Sequence, residues 1–272
     1  MPVVLPSTTT LQQPLVRTRL SDQNNKKVDP MKNKFKAFLM TLLLTAPLFA
    51  TAGHHEEGAP SSVGVAYSFN VSDPQAVVTA MNTYWNSPTG KKNPGVAVLR
   101  QVIAGGENPA THTIAVSYPS YAAMDEAMAL NANSTDAQSF YSAMQAAAKI
   151  TSRMAFDAGG IIGGDPMAVT NPLPVTAYFM MRVKDPSAYL TAWKKVSGGS
   201  AGTMSALFAV TADGEGGITH GIAVRANNMA TLMSSIKSNQ STPEWTEFMK
   251  VVSPIRTLER RMITKDLAVF GG

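Results

Sequence analysis

Two stretches of this chain show the same succession of apolar patterns. In residues 65–71 larger apolar side chains alternate with small or polar ones, and residues 177–183 are a mostly apolar run, which predicts a strand in each stretch. Asp73 and Asp185 follow, each with a proline directly after it. An aspartate followed by proline is typical of a helix N-cap and first helical position, so each stretch is predicted to open as a strand and a helix.

The rest of each stretch predicts a hairpin, two further helices and a final strand. Short apolar runs joined by the glycine-rich tips 105–108 and 213–217 are typical of β-hairpins. Ser134 and Thr242 are predicted to cap the last helix of each stretch. Apolar residues at helical spacing mark the helices: Val77, Val78, Met81, Tyr84, Trp85, Met124, Met128, Phe140 and Met144, then Tyr189, Leu190, Trp193, Val196, Met229, Leu232, Met233, Ile236, Trp245, Phe248 and Val252.

The two stretches are also related residue by residue. The segment 111–116, Thr-His-Thr-Ile-Ala-Val, recurs 108 positions later as Thr-His-Gly-Ile-Ala-Val at 219–224. Further upstream, Val71 to Pro74 matches Val183 to Pro186 at an offset of 112. The first copy therefore has four extra residues, and they fall in the loop 86–95. A fixed offset of this kind indicates an internal repeat.

The order β-α-β-β-α-α-β resembles the ferredoxin-like unit of the dimeric α+β-barrel superfamily, here fused in tandem. The resemblance rests on element order and implies an α+β fold: two tandem repeats, 63–158 and 175–272, with facing antiparallel sheets. Residues 159–174, with two Gly-Gly pairs and three prolines, are predicted to be the linker. The glycines at 159–164 also suggest a phosphate-binding loop, but the Lys and Ser/Thr of that motif are absent.

The N-terminal part of the chain predicts export. Residues 31–52 combine a Lys-rich start, an apolar run and a small-residue end, which is typical of a signal peptide cleaved after Ala52. The apolar run is shorter than the ~20 residues that a membrane-spanning helix needs. Residues 1–30 are interpreted as an over-extended start and 53–62 as a flexible mature N-terminus. We therefore expect a secreted or periplasmic protein that does not contact the membrane after cleavage.

Export also changes the charge balance. The precursor has 23 basic and 18 acidic residues, and residues 1–52 contain seven and two of these, which leaves sixteen of each. Nucleic-acid binding requires clustered basic charge, so nucleic acid is not an expected partner. The chain has no cysteine, so a core of about 220 residues must hold the fold without disulfides. A monomeric pseudo-dimer and a homo-oligomer both remain open.

His112 and His220 are candidate ligand contacts because they occupy equivalent positions of the two repeats. A pseudo-two-fold axis would relate them, and both could line one cavity between the sheets. The alternative is that the larger residues of these strands face the helices, which would leave each histidine at a strand end with a structural hydrogen bond. Alternation of side chains along a strand does not decide between the two faces.

Asn70 and its repeat partner Arg182 form a second candidate pair. If Tyr67, Phe69 and Val71 face the helices, then Asn70 and Arg182 point into the space between the sheets. A buried arginine there would need an anionic partner, either Asp/Glu or a ligand carboxylate or phosphate. The alternative is an arginine that reaches solvent at the end of its strand.

The new N-terminus offers a possible metal site. Cleavage after Ala52 would expose the amine of Gly53, followed by His54 and His55. An amine, two backbone amides and a third-position imidazole suit square-planar Cu(II) or Ni(II), whereas a plain polar terminus is the alternative. The superfamily includes haem-dependent members, but these use a histidine on a helix. Since no predicted helix of this chain carries a histidine, haem is not expected.

Together these observations favour an exported protein that binds a small molecule in a cavity between two fused α+β-barrel repeats. The superfamily also includes cofactor-independent monooxygenases and other enzymes. A cofactor-independent oxygenase or isomerase on the same scaffold is therefore the alternative, and the sequence assigns no catalytic residue to it.

Overall fold

The structure is a computed structural model that describes residues 62–106, 109–198, 202–213 and 217–272. Its strands are β1 (Val63–Val71), β2 (Val96–Ala104), β3 (His112–Tyr118), β4 (Ala148–Asp157), β5 (Ile162–Gly164), β6 (Val175–Val183), β7 (Thr203–Ala212), β8 (His220–Ala226) and β9 (Arg256–Gly271). Its helices are α1 (Pro74–Asn86), α2 (Tyr121–Ala132), α3 (Thr135–Ala147), α4 (Pro186–Val196), α5 (Met229–Gln240) and α6 (Pro243–Val252), with short 3-10 helices at Gly90–Lys92 and Pro166–Ala168.

The same order of elements occurs twice. Residues 63–157, the first half, and 175–271, the second half, each run strand, helix, strand, strand, helix, helix, strand. The predicted caps Asp73, Asp185, Ser134 and Thr242 are confirmed, because each side chain accepts a hydrogen bond from the backbone N–H three residues later. A cap of this kind stabilises a helix by ~1 kcal/mol.

The strands form one antiparallel sheet that closes on itself. Its order is β4-β1-β3-β2-β9-β6-β8-β7-β5, and β4 also pairs with β7. The α+β class and the antiparallel sheet are therefore as predicted. The four strands of one half are in addition joined edge to edge with those of the other, at β2–β9 and β4–β7, so that eight strands form a ring.

Part of the predicted linker belongs to the sheet. Ile162–Gly164 form β5, which pairs antiparallel with β7 next to the short β4–β7 contact. At the opposite junction, the single long strand β9 pairs with β6 and then with β2. The last strand of each half thus reaches across to the other half. In the first half this strand is broken into β4 and β5, and the break contains Gly159 and Gly160, which both have positive φ.

The helices cover the outside of the ring, which we call the helix-covered face. Buried core residues of α1 and α3 pack on Phe69, Leu99 and Ile114 in the first half. In the second half, α4 and α6 pack on Met181 and Leu207. No helix among the described residues is long and apolar enough to cross a membrane.

The other face of the sheet is the barrel interior, which is partly filled by two phenylalanines. Phe156 on β4 lies opposite Gly64, and Phe208 on β7 lies opposite Gly221. The two rings contact each other, with centroids 6.1 Å apart. A Cβ on either glycine would collide with the phenylalanine ring beside it, so glycine is required at both positions.

Candidate functional site

The structure places His112 and His220 on the helix-covered face. His112 pairs with Phe69 across β1 and β3, and His220 pairs with Met181 across β6 and β8. Residues opposite each other in an antiparallel pair share a face, and both partners belong to helix-packed cores. Each histidine Nδ1 lies within hydrogen-bond distance of the preceding threonine Oγ1, at 3.0 Å in the first half and 2.9 Å in the second.

Asn70 and Arg182 lie on the opposite face from the histidines, at the exposed ends of β1 and β6. The Arg182 Nε donates to the Gly217 carbonyl at 3.2 Å, and its Nη2 lies 3.5 Å from a carboxylate oxygen of Glu259. Half of the Arg182 side chain is exposed. The structure therefore does not gather the four predicted residues around one cavity, and their part in ligand binding stays a prediction.

The predicted metal ligands Gly53, His54 and His55 lie outside the described residues. Within the described ranges, no group of three or more His, Cys, Asp or Glu side chains is placed to hold a metal ion.

A partly open space in the first half is the better candidate site. It has a volume of about 480 Å³ and lies between the sheet and the helices α1 and α3. Its apolar wall includes Phe69, Met81, Trp85, Phe140 and Met144. We call this space the aromatic cavity.

Four tyrosines line the aromatic cavity. Tyr67, Tyr84, Tyr118 and Tyr141 come from β1, α1, the end of β3 and α3. Burial, together with a smaller effect of its three tyrosine neighbours, raises the pKa of Tyr118 to about 12. Burial also raises the pKa of Tyr67 and of Tyr141. These phenols therefore stay protonated near neutral pH and act as neutral hydrogen-bonding groups.

Only one of the four hydroxyls is held by the protein. Tyr84 donates to Asn131 Oδ1 at 2.6 Å and accepts from Asn93 Nδ2 at 2.9 Å. Within the part of the chain that the structure describes, the hydroxyls of Tyr67, Tyr118 and Tyr141 have no hydrogen-bond partner. They keep their hydrogen-bonding capacity for whatever enters the cavity.

The loop that is longer in the first half builds part of the cavity rim. It supplies Asn93, and Thr89 anchors the loop to α3. The Thr89 N–H donates to Asp136 Oδ2 at 3.2 Å, and the hydroxyls of Thr89 and Ser134 lie 2.7 Å apart. The loop that contains the four extra residues of the first copy therefore forms part of the site.

A cation lies at the same site. Arg153 of β4 lines the cavity and pairs with Tyr67 across β1 and β4. It opposes the burial effect on Tyr67 by lowering the pKa of this phenol. Arg153 is exposed, so the cavity combines an apolar aromatic wall with a positive charge that is open to solvent.

The second half fills the equivalent space with its own side chains. At the offset of 112, Val77 and Met81 correspond to Tyr189 and Trp193, which are fully or almost fully buried. The Tyr189 ring contacts Phe248 with centroids 5.8 Å apart, and its hydroxyl accepts from Arg256 Nη1 at 3.3 Å. The four cavity tyrosines correspond to Phe179, Val196, Ala226 and Met249.

A second space lies between the two halves at the tip of the β2–β3 hairpin. It measures about 830 Å³ and touches β4 at Thr151 and Ser152 and β9 at Glu259 to Ile263. Because β4 and β9 are four strands apart in the ring, a space that touches both lies between the halves. Glu259, the ion-pair partner of Arg182, is part of its wall. None of the four predicted ligand residues lines this space or the aromatic cavity.

The sequence analysis used Tyr84, Trp85 and Phe140 to mark helices and did not identify them as a site. A comparison of the two copies could have found the site, because the first copy has tyrosines where the second has aliphatic or phenylalanine side chains. The extra loop residues mark the same copy.

Comparisons with known proteins show the fold. No family model and no curated protein matches this chain. A candidate monooxygenase from Fusobacterium nucleatum is 11% identical, with 79% of this chain and 95% of that chain covered and a TM-score of 0.51. An anthrone oxidase-like protein is 9% identical over 78% and 93%, with a TM-score of 0.52. A chlorite dismutase from Candidatus Nitrospira defluvii is 7% identical over 78% and 92%, with a TM-score of 0.46.

The first two structures share the overall architecture of this chain along nearly their whole length. This likeness agrees with the α+β fold that the resemblance in element order implies.

Proposed function

We propose that this chain binds a small, flat organic molecule with oxygen acceptor groups in the aromatic cavity of its first half. The observation that carries the proposal is that three phenol hydroxyls face this space without a protein partner. These hydroxyls are not fully buried, and each can donate to a ligand that carries oxygen acceptors. The ring faces of Trp85 and Phe140 favour a planar partner.

The difference between the two halves supports this proposal. The second half places Tyr189 and Trp193, which are fully or almost fully buried, in the equivalent positions. The first half keeps smaller residues there and places tyrosines around them. A cavity costs stability because its walls lose packing contacts. Binding in the first half alone would account for that cost.

A cofactor-independent oxygenase is the second candidate. The observation in its favour is that two similar solved structures are described as a candidate monooxygenase and as anthrone oxidase-like. The ionisable residues that line the cavity are four tyrosines and one arginine. With pKa values raised by burial, three of these phenols are poor bases near neutral pH. Binding therefore accounts for the geometry more directly than proton abstraction does.

The test uses 1-anilinonaphthalene-8-sulfonate as a flat, anionic fluorescent probe. Met81→Trp copies the residue of the second half and fills the cavity, so we expect at least ~tenfold weaker probe binding, which corresponds to 1.4 kcal/mol. Met128→Trp adds the same bulk at a surface position and should leave binding unchanged. Tyr118→Phe should weaken binding by less than Met81→Trp. Equal affinity in the native protein and Met81→Trp contradicts the proposal.

Oxygen consumption with anthrone as substrate separates the two candidates. Uptake above the uncatalysed rate that is lost in Met81→Trp supports the oxygenase. Tight probe binding without uptake leaves binding as the function.

We also infer that the two halves are tandem copies of a ferredoxin-like unit, so that one chain closes the barrel by itself, and that this chain is exported. If the signal is cleaved after Ala52, N-terminal sequencing of the exported protein should begin at Gly53. Cu(II) should then bind the mature protein more tightly than His55→Ala, because the third-position imidazole completes a four-nitrogen site. A different N-terminus, or equal affinity in the two proteins, removes the copper proposal.

A further inference from the structure

Three charged side chains from three strands meet inside the barrel. The Arg100 Nε donates to Asp266 Oδ1 at 2.9 Å, and the Arg225 Nη2 donates to Asp266 Oδ2 at 2.7 Å. Arg100 lies on β2 of the first half, whereas Asp266 on β9 and Arg225 on β8 belong to the second. The cluster therefore bridges the two halves.

The cluster faces the barrel interior. The strand neighbours of Arg100 include Leu99, which packs in the helix-covered core, and those of Arg225 are Val224 and Ala226, which pack under α5. Alternation along a strand then directs both arginines to the other face. The cluster and the aromatic cavity are thus on opposite faces of the sheet.

The charges of the cluster do not balance. The Asp266 side chain is fully buried, and the side chains of Arg100 and Arg225 are 11% and 33% exposed. Within the described ranges, Asp266 is the only carboxylate that forms an ion pair with either arginine. One positive charge is left over, shared between an almost buried guanidinium and one that is a third exposed. A counter-charge would balance it. Each guanidinium also has five N–H donors and gives one of them to Asp266 in these bonds.

A second observation points to the same place. The Thr264 side chain is fully buried, and its hydroxyl has no hydrogen-bond partner. Thr264 pairs with Thr176 on β6, which in turn pairs with Arg225 on β8. The three residues share a face, and Thr264 lies two residues before Asp266 on β9. A buried, unpaired hydroxyl is therefore on the same face as the charged cluster.

We propose that the barrel interior binds a small monovalent anion of the size of chloride between Arg100 and Arg225, with the Thr264 hydroxyl as a third donor. A monovalent anion balances the single excess charge, and guanidinium and hydroxyl groups all donate to it. The bound anion would connect the two halves through the residues that already bridge them. This site is independent of the ligand proposed for the aromatic cavity.

The test measures the midpoint of urea unfolding while chloride replaces methanesulfonate at constant ionic strength. A ligand that binds only the folded state raises its stability as the ligand concentration increases, so the midpoint of the native protein should rise with chloride. Line broadening of the chloride-35 NMR signal measures binding directly. Lys265→Gln removes a neighbouring exposed charge and should respond to chloride as the native protein does.

Thr264→Val is the sharpest variant because it removes the hydroxyl at nearly constant volume. Without chloride its midpoint should equal or exceed that of the native protein, since an unpaired buried hydroxyl is gone. Its apparent chloride affinity should fall at least ~fivefold, a loss of about one hydrogen bond. Arg225→Gln should abolish the chloride response. If Thr264→Val and Arg225→Gln respond to chloride as the native protein does, or if the native protein does not respond, the site is excluded.

Discussion

His112 and His220 each begin a strand, and each contacts the threonine directly before it. Burial lowers the pKa of both imidazoles from the usual value of 6.5. The folded protein therefore favours the neutral form of each histidine, whereas the unfolded chain takes up protons near the ordinary pKa. At the residue scale, the repeat thus places a histidine twice in an environment that disfavours its protonated form.

This setting predicts a loss of stability in mild acid. Because the folded-state pKa values are lowered, protonation of the histidines favours the unfolded chain. The free energy of unfolding is therefore unaffected by these groups above about pH 6.5 and falls as the pH drops from there toward their folded-state pKa values. The urea unfolding midpoint of the native protein should decrease between pH 7.5 and 5.5. His112→Gln/His220→Gln should show a smaller decrease over this range. An equal decrease in both proteins contradicts the assignment.

The single residue is also the scale at which the sequence predicted the site least well. The sequence analysis offered His112 and Asn70 as residues of one cavity, whereas the structure puts them on opposite faces of the sheet. Alternation along each strand could not decide which face the helices cover. That choice depends on packing between segments distant in sequence, such as Phe69 against α1. Helical spacing likewise marked Tyr84 and Phe140 as buried, because a cavity wall and a filled core have the same periodicity.

At the scale of the element, local signals predicted most of the structure. Asp73 and Asp185 begin their helices because a capping side chain and a following proline act within a few residues. The hairpins follow from short apolar runs with glycine-rich tips. These features do not depend on contacts between distant segments, so a single sequence contains them.

The element β5 was not predicted because its stabilising contacts are distant in sequence. Glycine pairs and prolines in 159–174 are typical of linkers. Ile162 to Gly164 nevertheless pair with Met204 to Ala206 of β7, about forty residues away. The offset of 108 contained a hint, because Gly163 and Gly164 correspond to Gly271 and Gly272 at the end of the last strand. Both glycine pairs mark the end of a strand that crosses to the other half.

At the scale of the whole molecule, closure of the ring gives the two halves a common interior. β9 forms the longer junction with β2, whereas β4 and β5 share the junction with β7. An open edge strand exposes unpaired backbone groups, and closure removes such edges. The interior then holds both the Phe156–Phe208 contact and the charged cluster around Asp266. Together these contacts connect the halves at several points.

The interrupted junction predicts a specific weak point at Gly163. A Cβ at this buried position would collide with the Ser197 carbonyl at the end of α4. A backbone oxygen cannot avoid the collision by changing rotamer, as a flexible side chain can. Gly163→Ala should therefore displace β5 and lower the free energy of unfolding by ~1–3 kcal/mol, the usual cost of overpacking. Gly198→Ala is the matched control, because a Cβ there meets no atom within 4 Å, and it should be neutral or slightly stabilising. Urea unfolding measures both effects, and limited proteolysis should cut residues 158–174 faster in Gly163→Ala. If the two variants have the same unfolding midpoint and cleavage rate, β5 does not contribute to closing the barrel.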